Sequence, residues 1–345
     1  MMHCFSITLT CFVMFKCVMS LLNVPAIIDI LYFWITILLL LERSLMVHRT
    51  VWFFCFRATG GEKGGVLYFL LDLRFFILVH LKLFIIMYIG QVMKDLLKWP
   101  RPCSPPVVKL EKKTNAEYGM PSTHAMAATA ISFTFYPLEL GLLGAFLFSS
   151  LVGLSRIYTG MHTVLDVVVG SLISLFLTAV SSPTWDIVEH LMLTSPFCPA
   201  FCIIVPLFLC YNYPKLDYYS PTRADTTTIL GASAGAIIGF WANNHFGSNA
   251  ASKGVIYSVS SITSEIILLV FAKFIVGIGV LMITRQFART IVRKSLCSWH
   301  KVSNSDVVAM QQIKIEVPYK FITYSSIGLS ATMFVPLLYT FFGLN

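Results

Sequence analysis

Long apolar runs separated by short polar breaks extend through the whole chain. A helix crossing hydrocarbon needs about 20 mostly apolar residues. On that measure the pattern predicts spans at 5–22 and 27–41, with a shorter apolar run at 51–56. Lys16 interrupts the first and Asp29 opens the second. The first run lacks a basic leader and a small-residue cleavage site, so it reads as an uncleaved anchor. A glycine-rich break follows at 60–65. Beyond it the best span is 75–93, in a stretch that also carries Asp72, Arg74 and Lys82. Lys82 is expected on a face turned towards protein. Residues 94–120 are polar and rich in proline and predict an ordered loop outside the hydrocarbon. Further spans are predicted at 125–136, 140–154, 164–180, 199–210, 229–241, 256–283 and 321–342. Gly231, Gly235 and Gly239 have the small-xxx-small spacing that lets membrane helices approach closely. Residues 285–320 are polar and basic and predict an extramembrane loop with an amphipathic helix.

Composition agrees with this pattern. Among 345 residues, 57% are hydrophobic and 12% charged. A soluble domain carries about twice that charged fraction. Charge this sparse does not cover a water-facing surface, so much of the surface faces lipid. The formal charge of +9 suits loops near anionic lipid or a site for an anionic substrate. No soluble basic domain is visible, which argues against nucleic acid as a partner. Nine cysteines without a CxxC pair indicate neither a zinc site nor a disulfide framework. Most read as small buried hydrophobes.

Three patches place ionisable groups at the ends of apolar runs, an expensive position that points to function. The first holds Lys94 and, seven residues on, Arg101, flanked by Pro100 and Pro102. Both cations fall on one helical face if the helix runs that far. Arg grips a phosphate in a bidentate way and Lys acts as a point charge. Alone, the patch also fits a basic cluster facing lipid headgroups. The second is Pro121-Ser122-Thr123-His124, just before an apolar helix. Free N–H groups at a helix start attract anions, Ser122 adds a hydroxyl, and His124 is placed as a general acid. Alone, it also fits an ordinary N-cap with an interfacial histidine. The third runs from Arg156 through His162 to Asp166. His162 and Asp166 are i and i+4, so on a helix they face the same way. A carboxylate on one imidazole nitrogen leaves the other free to attack. A structural His–Asp pair is the plainer reading of this patch alone.

Taken in order, the patches read Lys-x6-Arg-Pro, Pro-Ser-x-His and Ser-Arg-x5-His-x3-Asp. This combination resembles the type 2 phosphatidic acid phosphatase (PAP2) superfamily. The resemblance implies that Lys94, Arg101, Arg156, Ser122 and the Thr123 backbone N–H bind phosphate oxygens. It implies that His162 attacks phosphorus, Asp166 orients His162, and His124 protonates the leaving alkoxide. It implies no metal and no cofactor, since basic side chains stabilise the charge. The stretches 101–111, 117–126 and 317–324 look like one branch, the sphingosine-1-phosphate phosphatases of the endoplasmic reticulum, in which Thr123 is the usual residue. The resemblance covers about residue 87 to the C-terminus and fails over 1–65, where that branch is more polar.

The expectation is therefore an all-α, polytopic transmembrane helical bundle with a catalytic core of about six helices. Its parts are a divergent segment at 1–65, the catalytic core at 66–182, and C-terminal helices at 183–345 with a basic loop at 285–320. Its partners are a lipid phosphate substrate and the bilayer. Phosphatidic acid or a polyprenyl phosphate fits the same patches, which do not read the tail. A haloperoxidase shares the constellation but not the many spans, and a transporter or scaffold would tolerate loss of a signature residue. The motif loops share one side with 215–223 and 285–320, whose Lys and Arg excess argues for the cytosol. The resemblance implies the lumen, and the expectation follows it.

Overall fold

In the computed structural model, the structure describes residues 73–104, 107, 117–134, 139–246, 264–303 and 305–343. The spans expected at 5–22, 27–41 and 51–56, the break at 60–65 and Asp72 lie outside the described residues. Within them every regular element is helical. The helices are α1 (Leu73–Leu97), α2 (Thr123–Thr134), α3 (Glu139–Tyr158), α4 (Val164–Ser181), α5 (Trp185–Thr194), α6 (Cys198–Tyr211), α7 (Pro221–Phe246), α8 (Ser264–His300), the one-turn α9 (Val307–Met310), α10 (Ile313–Leu329) and α11 (Val335–Phe341). A π-helical turn at Ser330–Phe334 joins the last two.

The bundle is apolar outside and partly polar inside. Leu143, Phe146 and Leu154 of α3 are exposed, as are Leu165, Leu172 and Phe176 of α4. Thr129, Ser149 and Ser174 are buried and hydrogen-bonded to one another or to backbone. This arrangement suits lipid as the solvent, because these three inward hydroxyls are satisfied within the protein. Among the described residues, three stretches are long and apolar enough to cross a membrane, namely Val164–Thr194, Ala272–His300 and Ile313–Tyr339, and Leu142–Tyr158 and Cys198–Tyr211 are shorter apolar helices. The protein is a helical membrane bundle.

Two groups of helices meet on α1. In the first, α2 packs against α1, α3 and α4; in the second, α7 packs against α1, α6 and above all α10. Small residues set the closeness of the α7–α10 pair. A Cβ on Gly231 would lie 2.8 Å from the Phe321 carbonyl oxygen, and one on Gly235 would collide with the Ser325 carbonyl. The small-xxx-small spacing is therefore a helix-packing device here. Lys82 is buried on α1 with its ammonium 5.4 Å from the Trp185 ring centroid. That contact accounts for a lysine inside an apolar helix.

Several boundaries differ from the sequence expectation. Helix α1 stops at Leu97, so Arg101 is not on a helical face with Lys94. Lys98 takes a left-handed φ of 50°, and the residue before Pro100 is pushed out of the α region. The stretch 285–320, expected as an extramembrane loop with an amphipathic helix, is helical as far as His300, over Val307–Met310 and from Ile313 onward. No proline or glycine interrupts 280–301, and the charged residues lie along an otherwise continuous helix. Helix α5 lies between the spans expected at 164–180 and 199–210 and was not itself expected. Pro183 sits in a 3-10 turn at Ser182–Thr184 that carries the chain onward into it.

Candidate active site

The three motif patches meet at one end of the bundle, joined by backbone hydrogen bonds. The Gly119 N–H donates to the Trp99 carbonyl at 2.7 Å, which pins the second patch to the first. The Ser122 N–H donates to the Asp166 carbonyl at 3.0 Å, which pins the second to the third. Two glycines allow these approaches. A Cβ on Gly119 would lie 3.2 Å from Asp166 Oδ2 and from the Pro100 carbonyl, and one on Gly170 would lie 2.9 Å from the Ser122 carbonyl.

His162 sits in the turn between α3 and α4. Gly160, with φ 68°, turns the chain there, in a conformation glycine adopts without steric cost. Thr163 then caps α4. Its Oγ1 accepts the Asp166 N–H at 3.2 Å, and Asp166 Oδ2 accepts the Thr163 N–H at 2.8 Å. This reciprocal capping box holds Asp166 fully buried. His162 Nδ1 faces Asp166 Oδ2 at 3.6 Å, a distance slightly long for a hydrogen bond. Nε2 lies on the opposite edge of the ring. Burial holds the His162 imidazole below the ordinary histidine range, and the Lys94 and Arg101 cations push the same way. Asp166 opposes them without reversing the direction.

Lys94 is almost wholly buried in the last turn of α1. Arg101 reaches the site from the loop instead. Its Nη1 donates to the Met161 carbonyl at 3.0 Å, immediately before His162. Arg156, buried at the end of α3, places Nη1 4.0 Å from the Met161 sulfur. The two guanidinium groups thus bracket the residue that precedes His162. Ser122 is fully buried and Thr123 nearly so, at the start of α2. Ser122 Oγ accepts the Ala125 N–H at 3.5 Å, which leaves the hydroxyl its own proton to donate. His124 is half-buried in the first turn of the same helix.

Sequence reasoning missed two members of this end of the bundle. Glu117 binds both motif cations through one oxygen: Oε2 is 3.4 Å from Lys94 Nζ and 3.1 Å from Arg101 Nη2. Its backbone carbonyl also accepts the Arg101 Nε–H at 2.9 Å. Asp95 is buried and accepts the Tyr213 hydroxyl at 2.9 Å, tying α1 to the segment after α6. For Glu117 the available signal was an acid beside the second patch in a basic loop. For Asp95 it was an acid next to Lys94 at the end of an apolar run.

The C-terminal helices close the same end. Tyr118 and Tyr218 pack edge to face with ring centroids 6.3 Å apart. Arg223, near the start of α7, reaches Glu316 of α10 at 2.7 Å and the Gln311 carbonyl at 3.0 Å. The loop at 215–223 and the C-terminal end of α8 therefore lie on the motif side of the membrane.

An all-α membrane bundle with cations gathered around a buried histidine at its polar end defines a membrane phosphatase scaffold. The PAP2 superfamily model matches residues 75–186, the stretch that carries all three patches. The chain is 54% identical over 272 residues to a Homo sapiens protein named sphingosine-1-phosphate phosphatase 2, a match that covers 75% of this chain and 68% of that one. It is 52% identical to the Mus musculus protein of the same name, over 75% of this chain and 77% of that one. It is 35% identical to the Rattus norvegicus sphingosine-1-phosphate phosphatase 1, over 85% of this chain and 72% of that one. The chain belongs to the PAP2 superfamily and, within it, to the family of the sphingosine-1-phosphate phosphatases. No solved structure matches it.

Proposed function

We propose that the chain hydrolyses the phosphate monoester of long-chain bases such as sphingosine 1-phosphate, in the endoplasmic reticulum membrane, through a phosphohistidine at His162. The named activity of its relatives supports the substrate. The observation that carries the mechanism is the buried His162 ring, braced by Asp166 on one edge and lying within electrostatic range of Lys94 and Arg101. The endoplasmic reticulum rests on the likeness of residues 101–126 and 317–324 to that branch.

In this reading Lys94, Arg101 and Arg156 hold the phosphate oxygens, with the Ser122 hydroxyl and the Thr123 N–H. His162 Nε2 forms a bond to phosphorus as the P–O ester bond breaks. His124 gives its proton to the departing alkoxide, and the long-chain alcohol leaves. His124, now neutral, takes a proton from water as the water oxygen attacks phosphorus. The P–N bond breaks, and inorganic phosphate leaves with His162 restored. Fixed cations around a transferring phosphoryl group supply most of the rate in such chemistry.

The test is phosphate release from sphingosine 1-phosphate by purified protein in detergent with EDTA present. The intact protein releases phosphate and His162→Ala does not. Quenching with alkaline detergent a reaction with substrate radiolabelled in its phosphate traps label on the intact chain, in a form that survives alkali and is released by acid. Activity that survives in His162→Ala sinks the mechanism.

A further inference from the structure

Glu117 presents a puzzle for a phosphate site. A single carboxylate oxygen sits on both Lys94 and Arg101, the two cations assigned to the substrate phosphate. Lys94 is almost fully buried, and the Glu117 side chain is only 17% exposed. The Glu117 backbone is also held, since its carbonyl accepts the Arg101 Nε–H. Gly119, two residues on, is fixed to Trp99. The carboxylate is therefore a built part of the site.

Consider what happens when a phosphate arrives. A dianion taking Lys94 and Arg101 displaces the Glu117 carboxylate from its cation partners. Because its backbone is anchored, the carboxylate stays beside the bound phosphate. A part-buried carboxylate stripped of its partners next to another anion is costly. A second acid adds to the cost. Asp225, in the first turns of α7, lies within electrostatic range of both Lys94 and Glu117. Asp225 is exposed to water, and Lys320 is the first cation that opposes its charge. A substrate that is only an anion leaves the Glu117 charge uncompensated. A long-chain-base phosphate does not, because it carries an ammonium on the carbon next to the one bearing the phosphate. That ammonium enters the site together with the phosphate.

We propose that Glu117 is the specificity-determining residue for the substrate amine: its carboxylate leaves Lys94 and Arg101 when phosphate binds and pairs with the vicinal ammonium of the long-chain base. The inference rests on the substrate reading given above and explains how this site tells base phosphates from glycerol-based lipid phosphates. Glu117 also acts as an internal counterion that keeps Lys94 and Arg101 paired between turnovers.

The experiment compares kcat/KM for sphingosine 1-phosphate and for the analogue in which a hydroxyl replaces the amine, with the same chain and phosphate. The wild-type protein favours the amine by about tenfold or more, the scale of a desolvated charge pair. In Glu117→Gln the two arms move apart. The amine substrate loses rate, the hydroxyl analogue holds or gains because the cations are released, and the ratio collapses towards one. A mere structural counterion lowers both by one factor, and that result overturns the inference. So does a wild-type ratio near one. If Glu117→Gln does not fold, Glu117→Asp takes its place. The shorter carboxylate reaches the ammonium less well, so the ratio falls severalfold, and an unchanged ratio overturns the inference. A wild-type protein that releases phosphate from other lipid phosphates but not from the base phosphate overturns the substrate reading and this inference together. Collapse of the inference alone leaves base-phosphate hydrolysis intact.

Discussion

One carboxylate oxygen of Asp166 serves two neighbours: it accepts the Thr163 backbone N–H at 2.8 Å and lies 3.6 Å from His162 Nδ1. The same oxygen therefore fixes the start of α4 and faces the ring that the mechanism uses. Local folding and chemistry share an atom here, and substitution can separate them.

Asp166→Asn keeps the size and one acceptor, so the cap survives, but the negative charge behind His162 is gone. Phosphate release falls by about 10²–10⁴-fold, the range of a lost acid–base partner, while the melting temperature stays close to wild type. Asp166→Ala loses the cap as well and costs about 1 kcal/mol of stability in addition. Thermal unfolding in detergent, read beside the phosphatase assay, checks both. Equal melting of the two variants contradicts the shared-oxygen account.

The pH profile follows from His162. Burial, reinforced by Lys94 and Arg101, keeps the imidazole below the ordinary histidine value, and in the proposed mechanism the neutral ring is the nucleophile. The acid limb of kcat/KM attributable to His162 therefore falls below pH about 6.5, the ordinary value. Lys94→Met removes one of the depressing cations, so that limb moves to higher pH even as overall activity drops. The linkage sign is also fixed. The unfolded chain binds the proton more readily than the folded one, so stability is fully present above pH about 6.5 and is lost as pH falls below it. A pH series of melting temperatures and of kcat/KM measures the two effects separately.

The candidate site residues stood out in the sequence because charge at the end of an apolar run is costly. Lys94, Arg101, Ser122, Arg156, His162 and Asp166 do gather at one end of the bundle. The route by which Arg101 arrives was not legible. The seven-residue spacing suggested a shared helix face, whereas the backbone turns at Lys98 and the guanidinium approaches from the loop. Glu117 escaped notice because a lone acid in a polar loop is ordinary. Only the fold shows that its oxygen lies between two cations. The basic residues after 285 suggested a loop with an amphipathic helix, whereas the absence of proline or glycine over 280–301 lets α8 run on unbroken to His300.

Close approach of α7 and α10 makes a stability prediction with an internal control. A Cβ at Gly235 collides with the Ser325 carbonyl, while one at Gly144 meets nothing within 4 Å. Gly235→Val forces the helices apart and destabilises by about 1–3 kcal/mol, the scale of overpacking. Gly144→Val, on the exposed face of α3, leaves the melting temperature within about a degree or two of wild type. Equal losses in both variants show that glycine in a helix matters here for another reason.

The side of the membrane on which the site works is open to a direct chemical label. The turn after α8 lies at the motif end, because Arg223 of α7 holds the Gln311 carbonyl and Glu316 just beyond it. Helix α8 spans 37 residues, about 55 Å at 1.5 Å per residue, which is well beyond the roughly 30 Å of hydrocarbon. The turn at its end, where Ser303, Ser305 and Asp306 are exposed, therefore stands clear of the bilayer. The chain contains no Asn-x-Ser/Thr acceptor, and Ser303→Asn creates one with Ser305 as its hydroxyl residue. The likeness to the endoplasmic reticulum branch predicts that this acceptor faces the lumen. It is then glycosylated, and digestion with an endoglycosidase removes the added mass. The Lys and Arg excess near this turn argues for the opposite side. An unmodified Ser303→Asn protein that still releases phosphate places His162 on the cytosolic face, with the positive-inside rule obeyed. A modified one shows that Arg285, Arg289, Arg293 and Lys294 lie on the luminal side against that rule. Their position then serves the anionic substrate or the bilayer surface at the catalytic end.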